Sequence, residues 1–305
     1  MESKKIIILY GGFSPEREVS KKTGEGVFEA LQKLPQYQPV LIDPQDFSSY
    51  LQLTDKIKNE NPYIVFNALH GEEGENGKIQ ALFDLEDIPY TGSGHLASAI
   101  AMDKYLASLL VKALGLAVPF AKLITKKEQL KIDKYPVVIK PNDKGSSVGI
   151  SIVQKEEELS FAIEKAFKVS TQVLMEEYIP GRELTVTILG DKALPVVEII
   201  PHQGWYDFKN KYTKGNSDYI VPAKLSEQER IKIQSYALKI FNTIGCNVYG
   251  RVDFRYDGED FYFLEVNTLP GMTPLSLTPK AAKSYGMSFE DLLIYIIENS
   301  KRRVL

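Results

Sequence analysis

Cysteine and long apolar runs are both scarce in this sequence. Cys246 is the single cysteine among 305 residues, which excludes a disulfide framework and a cysteine-ligated zinc site and fits a reduced cytosolic setting. The ordinary interpretation of Cys246 is a small buried hydrophobic residue. The apolar run Ile6–Tyr10 ends at Gly11 and Gly12 and is too short for a signal sequence or a membrane span. These features predict a soluble cytoplasmic protein.

An excess of positive charge is also missing. The formal net charge is -3 and the sequence pI is about 5.8, so no basic surface for nucleic acid is expected. Neither an internal repeat nor the phosphate-binding pattern G-x-x-x-x-G-K-[ST] occurs, so any phosphoryl transfer would not use a P-loop. The hydrophobic content of 44% is typical of globular proteins, and the length suits roughly two domains.

Residues 4–94 alternate between strand and helix patterns. The predicted strands and helices are 4–10, Ser20–Leu34, 37–43, 50–60, 63–69 and Ile79–Leu85. The alternation predicts a parallel sheet, in which ligands bind beyond the carboxyl ends of the strands. The loops GGFSPEREVS (11–20) and HGEEGENG (70–77) lie there, which makes Glu16 and His70 candidate site residues. The alternatives are that Glu16 complements a helix dipole and that His70 caps a strand end.

The next segment, Gly92 to Ala97, formally matches the dinucleotide-binding pattern G-x-G-x-x-A. It does not follow the first strand of a β-α-β unit, and the position about 20 residues later is Lys112 rather than an acidic residue for a ribose. We therefore interpret it as a linker that enters a helix over Ala97–Gly115. That helix is apolar nearly all round, so its charged pair, Asp103 and Lys104, stands out.

From Pro119 the pattern changes to short strands with polar loops, which predicts a second domain. The hairpin tip DKGSSVG (143–149) offers backbone N–H groups and hydroxyls with little bulk, as a phosphate-covering loop requires, although most such turns bind nothing. Lys140 ends the apolar strand PVVIK beside this loop and is a candidate phosphate ligand. Glu176 and Glu177 end another apolar strand, either as acceptors for adenine or ribose groups or as a charged strand exit.

The remaining helices and one long loop are predicted from local signals. The segment 202–222 has no periodicity, and loops of this length are usually functional lids. Ser226 and Glu229 form a predicted capping box for a helix that ends near Gly245. Two more helices are predicted, at Lys155–Lys168 and at Phe289–Lys301, and the second has the apolar face of a purely structural helix.

A predicted β-hairpin, Val248–Tyr256 with Phe261–Asn267, carries charge on one face. If Asp253 lies beside Glu265, two carboxylates face each other, which destabilises the ladder unless they are neutralised. A hard divalent cation such as magnesium would neutralise them, with Asn267 as a further oxygen donor at the strand end. The sequence therefore indicates a metal site on this hairpin.

The same pairing makes a demand on the turn near Gly258. Paired positions in an antiparallel ladder sum to a constant, and 253 plus 265 is even, so the turn is predicted to hold an odd number of residues. The alternative to a metal site is a hairpin with one solvated face.

Taken together, these motifs resemble the D-alanine–D-alanine ligases of the ATP-grasp superfamily over nearly the whole chain. The motifs are GGFSPEREVS, LHGEEGENGKIQ, YTGSGHLASAIAMDK, VIKPNDKGSSVG, GRELTV, KYTKGNSDY, GRVDF and LEVNTLPGMTPLSL. The resemblance implies a mixed α/β and α+β protein, in which a parallel α/β N-terminal domain precedes an ATP-grasp fold of two subdomains. The implied domains are 1–96 for the first substrate, 97–180 as the central subdomain and 181–305 for the metal and second substrate.

The resemblance also implies which residues bind ATP and metal. Contacts with the ATP phosphates are implied for Lys104, Lys140, Ser146 and Ser147. The adenine and ribose would be held by Glu176, Glu177 and Glu183. Two magnesium (or manganese) ions would be bound by Asp253, Glu265 and Asn267.

A further set of residues is implied for the two D-alanines. Glu16 would bind the ammonium group of the first, and His70 would lie near its carboxylate. The transition state would be stabilised by Arg251 and the Gly271 region, with Ser147, and the second substrate would be bound by Ser276 and Leu277. In the long loop, Lys211 and Tyr212 would favour D-alanine over D-lactate as acceptor, with Tyr212 hydrogen-bonded toward Ser147 and Glu16. The chain departs from its relatives at Glu72 and Glu73, where a basic or small residue is common.

The implied reaction joins two D-alanines for peptidoglycan precursor synthesis. ATP phosphorylates the carboxylate of the first, the amine of the second attacks the acyl phosphate, and phosphate leaves. Such a reaction depends on positioning and charge neutralisation, so it needs no Ser-His or Cys-His pair. The alternatives are a D-alanine–D-lactate or other carboxylate–amine ligase of the same fold, and a non-catalytic nucleotide sensor. Family members are commonly dimers, so a homodimer is expected.

Overall fold

The first sheet of the protein is fully parallel. The computed structural model describes residues 3–125, 132–202, 216–274 and 276–303. Strands β1 (Lys4–Leu9), β2 (Tyr37–Ile42) and β3 (Ile64–Asn67) lie in the order β2-β1-β3, with helices α1 (Arg17–Gln32) and α2 (Tyr50–Asn59) between them in sequence. The run Ile6–Leu9 is buried on both faces, as the central strand of such a sheet requires. The predicted parallel α/β arrangement is confirmed.

Four helices connect this sheet to the rest of the chain, and one helix prediction is wrong. They are α3 (Glu72–Glu75), α4 (Lys78–Leu85), α5 (His95–Met102) and α6 (Lys104–Ala113). The single helix expected over Ala97–Gly115 is broken at Asp103, whose backbone is extended with ψ of 95°. Its carboxylate accepts a hydrogen bond from the Leu106 N–H at 2.9 Å and so caps α6. Lys104 therefore begins a new helix, and its side chain is buried.

The second sheet is antiparallel and small. Its strands are β4 (Ala121–Ile124), β5 (Val137–Pro141), β6 (Ser151–Val153) and β7 (Val173–Glu177), in the order β4-β7-β5-β6. Helix α7 (Glu156–Phe167) covers one face, where Ile139, Val153 and Ile163 belong to one buried cluster. The alternation of side chains leaves Val138 and Lys140 on the opposite face, which is therefore available to a ligand.

The third sheet is larger and also antiparallel. Its strands are β8 (Arg182–Leu189), β9 (Lys192–Ala193), β10 (Val197–Pro201), β11 (Ser217–Ile220), β12 (Tyr249–Tyr256) and β13 (Phe261–Asn267), in the order β11-β10-β8-β12-β13 with β9 beside β8. Helix α8 (Glu227–Ile244) begins with the predicted capping box of Ser226 and Glu229 and ends at Gly245 with φ of 80°. Strand β11 lies inside the segment 202–222, which was expected to lack regular structure, so that prediction is wrong for this part; residues 203–215 lie outside the described ranges.

The hairpin of β12 and β13 has the predicted pairing but reaches it differently. Asp253 pairs directly with Glu265, yet Tyr256 pairs with Phe261, which leaves four residues, 257–260, in the turn. The predicted odd number is wrong because a β-bulge between Asp253 and Phe254 shifts the register by one residue. Strand β12 is buried on both faces apart from one partly exposed residue, so it is not the strand of a hairpin with a solvated face.

The last two helices return to the first sheet. They are α9 (Leu277–Ser284) and α10 (Phe289–Arg303). The apolar face of α10 contributes Leu292, Leu293, Ile296 and Ile297 to the same buried cluster as Ile6 and Ile8. Within the described ranges, no helix is both long and apolar enough to cross a membrane. The predicted structural role of the final helix agrees with this packing.

Glu298 on α10 adds a polar anchor to the same contact. Its carboxylate accepts hydrogen bonds from the Lys4 ammonium at 2.8 Å, the Tyr37 hydroxyl at 2.8 Å and the Tyr63 hydroxyl at 2.9 Å. Burial by itself raises the pKa of Glu298, but these hydrogen bonds outweigh burial and hold the pKa below its usual 4.5. The ionised carboxylate therefore stabilises the contact between α10 and the first sheet.

Candidate active site

A cavity of about 130 Å³ lies between the second and third sheets. Its apolar walls are Val138, Ile150, Ile152, Ile179 and Leu264. Eight residues named from the sequence also line it: Lys104, Lys140, Ser147, Glu176, Glu177, Glu183, Asp253 and Glu265. Apolar walls with a few converging charged groups are typical of small-molecule sites. The cavity is therefore the candidate nucleotide site.

Lys140 and Glu176 form a buried ion pair in this cavity. They lie on the adjacent strands β5 and β7, and the Lys140 Nζ is 2.6 Å from the Glu176 Oε2. The two side chains are only 7% and 4% exposed. Burying two charges carries a desolvation penalty that apolar residues of similar size would avoid. The pair is therefore better explained by ligand binding than by stability.

The carboxylates of Glu177 and Glu183 lie at the edge of the same cavity. Glu177 is exposed, and its backbone N–H is fixed by the Phe120 carbonyl at 2.8 Å. The Glu183 Oε2 lies 3.6 Å from an Arg255 guanidinium nitrogen, and Arg255 in turn donates to the carbonyl of Gly181 at 2.7 Å. Carboxylates that line such a cavity are able to accept hydrogen bonds from ribose hydroxyls or an amine.

Asp253 and Glu265 are neutralised by cations of the protein itself. Arg251 donates two hydrogen bonds to Asp253, from Nε to Oδ1 at 2.8 Å and from Nη2 to Oδ2 at 2.9 Å. The Lys104 Nζ lies 3.3 Å from the Glu265 Oε2. The two facing carboxylates are thus compatible with the ladder without a metal ion, which weakens the electrostatic argument made from the sequence alone.

The donor chemistry of this place still fits magnesium. Two carboxylates and the amide of Asn267 provide hard oxygen ligands on one hairpin, and Asn267 is anchored because its Oδ1 accepts the Leu269 N–H at 3.0 Å. Among the residues the structure describes, no group of three or more His, Cys, Asp or Glu side chains is placed to hold a metal. Magnesium is commonly held by one or two carboxylates together with substrate phosphates, and the two carboxylates here fit that pattern.

Residues 143–149, the covering loop, connect the cavity to the first sheet. Ser146 and Ser147 both have positive φ, 49° and 60°, a strained conformation for residues other than glycine. The Ser146 hydroxyl donates a hydrogen bond to the Glu16 carboxylate, whereas Ser147 lines the cavity. The covering loop thus contacts both the cavity and Glu16, whereas the expected hydrogen bond of Tyr212 toward Ser147 and Glu16 involves a residue outside the described ranges.

Glu16 and His70 lie together beyond the carboxyl ends of β1 and β3. Glu16 is the N-cap of α1, but its side chain makes no capping hydrogen bond, so helix capping does not explain it. The His70 ring lies between the Thr23 hydroxyl, 2.9 Å from Nε2, and the Glu75 carboxylate, 3.2 Å from Nδ1. Both residues are buried beside a small cavity of about 10 Å³ that His70 helps to line.

Ser276, Gly271 and Leu277 lie at the start of α9. The Ser276 Oγ accepts a hydrogen bond from the Thr273 N–H at 3.2 Å and lies 2.8 Å from the Thr273 hydroxyl. A Cβ at Gly271 would come within 3.1 Å of that Oγ, so a side chain there would crowd it. Leu277 is buried in the core cluster that includes Ala281, so a contact with substrate would have to come from its backbone.

Two of the expected site residues cannot be placed, and two contacting residues of the site were not predicted. Lys211 and Tyr212 lie outside the described residues. The sequence analysis did not predict a role for Arg255 or for Lys144. Lys144 joins the covering loop to Glu72 by an ion pair of 2.8 Å. No local pattern marks that contact, because the partners are 72 positions apart in sequence.

Comparison with known proteins agrees with this geometry. The family model for the D-ala D-ala ligase C-terminus matches residues 110–298, and that for the N-terminus matches residues 43–93. The D-alanine–D-alanine ligase of Syntrophotalea carbinolica is 40% identical over 305 residues, covering 99% of this chain and 98% of that protein. The one from Aquifex aeolicus is 43% identical over 299 residues, covering 96% and 99%.

Solved structures give the same picture. The D-alanine–D-alanine ligase of Bacillus anthracis, complexed with ATP, superposes with a TM-score of 0.85 at 32% identity and covers 99% of this chain and 98% of its own. The VanG D-Ala:D-Ser ligase of Enterococcus faecalis superposes with a TM-score of 0.81 at 30% identity, covering 98% and 100%. The chain therefore belongs to the D-alanine–D-alanine ligase family.

Proposed function

We propose that this protein is an ATP-dependent ligase that joins two D-alanines through an acyl phosphate. One observation carries the proposal. The covering loop spans two sites, because Ser147 lines the nucleotide cavity while Ser146 contacts Glu16 beyond the ends of β1 and β3. A reaction that transfers phosphate from a nucleotide to a second bound substrate needs these two sites side by side.

The nucleotide would be held between the second and third sheets. Lys140 and Lys104 bring positive charge to the phosphates, and Glu176, Glu177 and Glu183 accept hydrogen bonds from the adenine amine and the ribose. The buried Lys140–Glu176 pair supports this assignment, because it places a cation for the phosphates directly beside an acceptor for the base. Both groups are fixed before ATP binds.

Asp253, Glu265 and Asn267 would hold two magnesium or manganese ions together with oxygens of the triphosphate. When bound, the ions neutralise charge on the phosphates as the phosphoryl group moves. Arg251 contributes to the same end: it is fixed by Asp253 and directs positive charge toward the reacting phosphate. Lys104 contacts Glu265 and donates a hydrogen bond to the carbonyl of Lys144 at 2.7 Å. It therefore connects strand β13, which carries Glu265, to the covering loop.

The two amino acids would bind on either side of this phosphate. Glu16 and His70 orient the first D-alanine, whose carboxylate oxygen attacks the γ-phosphorus while ADP leaves. The amine of the second D-alanine then attacks the acyl carbon, loses a proton and expels inorganic phosphate. Ser276 and the backbone around Gly271 and Leu277 would hold the second carboxylate, and Lys211 and Tyr212 are proposed to favour an amine over a hydroxyl acceptor.

A coupled assay for ADP release, with and without D-alanine, tests this function. We expect ADP to appear only with D-alanine and in equal amount to D-alanyl-D-alanine, identified by chromatography and mass spectrometry. D-lactate and D-serine as alternative acceptors define the specificity. ADP release that is independent of D-alanine, or larger amounts of a D-lactate or D-serine product, would contradict the proposal.

We also propose that the protein is a homodimer, as is common in its family. The chain has a mass of 34.4 kDa, so light scattering after size-exclusion chromatography is expected to give twice that value. A mass of one chain at all concentrations would contradict the dimer and leave the ligase assignment intact.

A further inference from the structure

We propose that the ion pair between Lys144 and Glu72 is a positioning contact that holds the covering loop closed over the first-substrate site. The inference rests on the proposed function in assigning a role to that site. The Lys144 Nζ lies 2.8 Å from the Glu72 Oε1. The pair joins the covering loop, which follows β5 of the second sheet, to helix α3, which follows β3 of the first sheet. Neither residue has a part in the reaction described above.

The covering loop needs such contacts because its own conformation is strained. Ser146 and Ser147 are consecutive non-glycine residues with positive φ, a conformation that is unfavourable for such residues. A loop of small residues has few apolar contacts of its own to offset this strain. Side-chain contacts of the loop reach the N-terminal part of the protein, as those of Ser146 with Glu16 and of Lys144 with Glu72 do. The closed position of the covering loop therefore depends on its contacts with the N-terminal part of the protein, which contains the first sheet.

The charge distribution matches this role. Glu72, Glu73 and Glu75 all lie on α3. A Cβ at Gly145 would lie 3.5 Å from both the Glu75 and the Glu16 carboxylates. The loop thus approaches a strongly acidic surface, and Lys144 is the one cation within the segment 143–149. Without its charge, the acidic surface would no longer attract the loop. Within this acidic group, Glu72 is the residue that pairs with Lys144.

The side-chain ammonium and the backbone carbonyl of Lys144 contact different parts of the protein. The ammonium contacts Glu72, whereas the backbone carbonyl accepts a hydrogen bond from the Lys104 Nζ at 2.7 Å. Lys104 in turn lies 3.3 Å from Glu265. Lys144 therefore links the first-substrate site, through Lys104, to strand β13, which carries the proposed metal ligand Glu265. A side-chain substitution removes only the first of these contacts, which makes the ion pair accessible to experiment.

The expected effect is modest. The two side chains are 23% and 35% exposed, and pairs of this kind contribute about 0.2–1 kcal/mol, which corresponds to roughly 1.5- to 5-fold in an equilibrium. Because the apparent affinity of a site scales with the fraction of protein in the competent conformation, KM for the first D-alanine is expected to rise by no more than this factor, and by less the more the closed conformation predominates.

Variants Lys144→Met, Glu72→Gln and their combination test the contact, with Lys144→Arg as the conservative variant. A matched control is Lys5→Met, which breaks the pair with Glu60: its 2.9 Å separation and exposures of 29% and 24% are similar, but it lies at the opposite end of β1. Hydrogen–deuterium exchange of the peptide spanning 143–149, measured without substrates, reports loop opening directly and does not depend on activity.

We expect exchange to rise about 1.5- to 5-fold in both single variants and KM to rise by no more than this factor, with no further rise of either in the double variant. Lys144→Arg and Lys5→Met should match the unmodified protein, and about 0.5 M NaCl should bring the unmodified protein toward the variants because salt screens a partly exposed pair. Unchanged exchange in the single variants, or additive effects in the double variant, would overturn the inference. Altered exchange in a protein that makes no dipeptide would refute the proposed function and leave the contact standing.

Discussion

Removing the charge of Lys140 should reveal that its ion pair with Glu176 serves function at the expense of stability. The pair is 2.6 Å long, and both side chains are more than nine-tenths buried. Lys140→Met leaves the Glu176 carboxylate buried without its cation. Breaking a buried pair in this way costs about 3–5 kcal/mol, so the variant should be strongly destabilised, and its ligase activity at subsaturating ATP should fall strongly.

The double variant Lys140→Met with Glu176→Met separates the two effects. Replacing both charges by apolar side chains of similar volume removes the desolvation penalty together with the attraction, and such replacements are often neutral or stabilising. We therefore expect the stability of the double variant to lie within about 1 kcal/mol of the unmodified protein or above it. Its activity should remain as low as that of the single variant.

Urea unfolding followed by circular dichroism, without nucleotide, measures the difference. With a slope of about 3 kcal/mol per molar urea, the single variant should unfold at roughly 1–1.7 M lower urea, and the double variant close to the unmodified protein. A double variant as unstable as the single one would refute the reasoning, because the pair would then be needed for the fold. Retained activity in the double variant would show that neither charge binds ATP.

Three further results are expected. Glu298→Gln should lower stability by about 1–3 kcal/mol at pH 7, because a charged acceptor is lost. Since the folded pKa of Glu298 is below 4.5, the stabilisation by its ionised carboxylate is present above that value and is lost as the pH falls through the folded pKa. Urea unfolding of both proteins at pH 7 and at acid pH would show this loss. Cys246 is buried as predicted, and burial raises the pKa of its thiol to about 12, so iodoacetamide at pH 8 should label it only after unfolding, as mass spectrometry would detect. In steady-state kinetics Lys140→Ala should chiefly raise KM for ATP and Glu16→Ala chiefly KM for the first D-alanine, and equal effects of both on both constants would count against the assignment.

Much of the site was predictable because it follows short-range patterns. Strand alternation placed Asp253, Glu265 and Asn267 on related positions of one hairpin, and the pairing of the first two is confirmed. The apolar strand that ends at Lys140 and the parallel arrangement that brings Glu16 near His70 also follow from local periodicity. The capping box at Ser226 was recognisable from two residues three positions apart.

The details that sequence reasoning missed depend on contacts between distant segments. The bulge that leaves Leu264 without a partner has no local signature, so the turn length was mispredicted. The break at Asp103 was hidden because its neighbours are apolar enough for one long helix. Ser146 and Ser147 are chemically identical, so the sequence did not predict that the Ser146 hydroxyl contacts Glu16.

The most direct test of the proposed reaction follows the carboxylate oxygen of the first D-alanine. With D-alanine labelled by oxygen-18 in its carboxylate, attack of that oxygen on ATP and later cleavage of the acyl–oxygen bond should transfer one labelled atom to each inorganic phosphate, as phosphorus NMR or mass spectrometry would detect. The product should be D-alanyl-D-alanine in equal amount. Formation of the dipeptide with unlabelled phosphate would contradict the acyl phosphate, and labelled phosphate without dipeptide would contradict the ligase assignment.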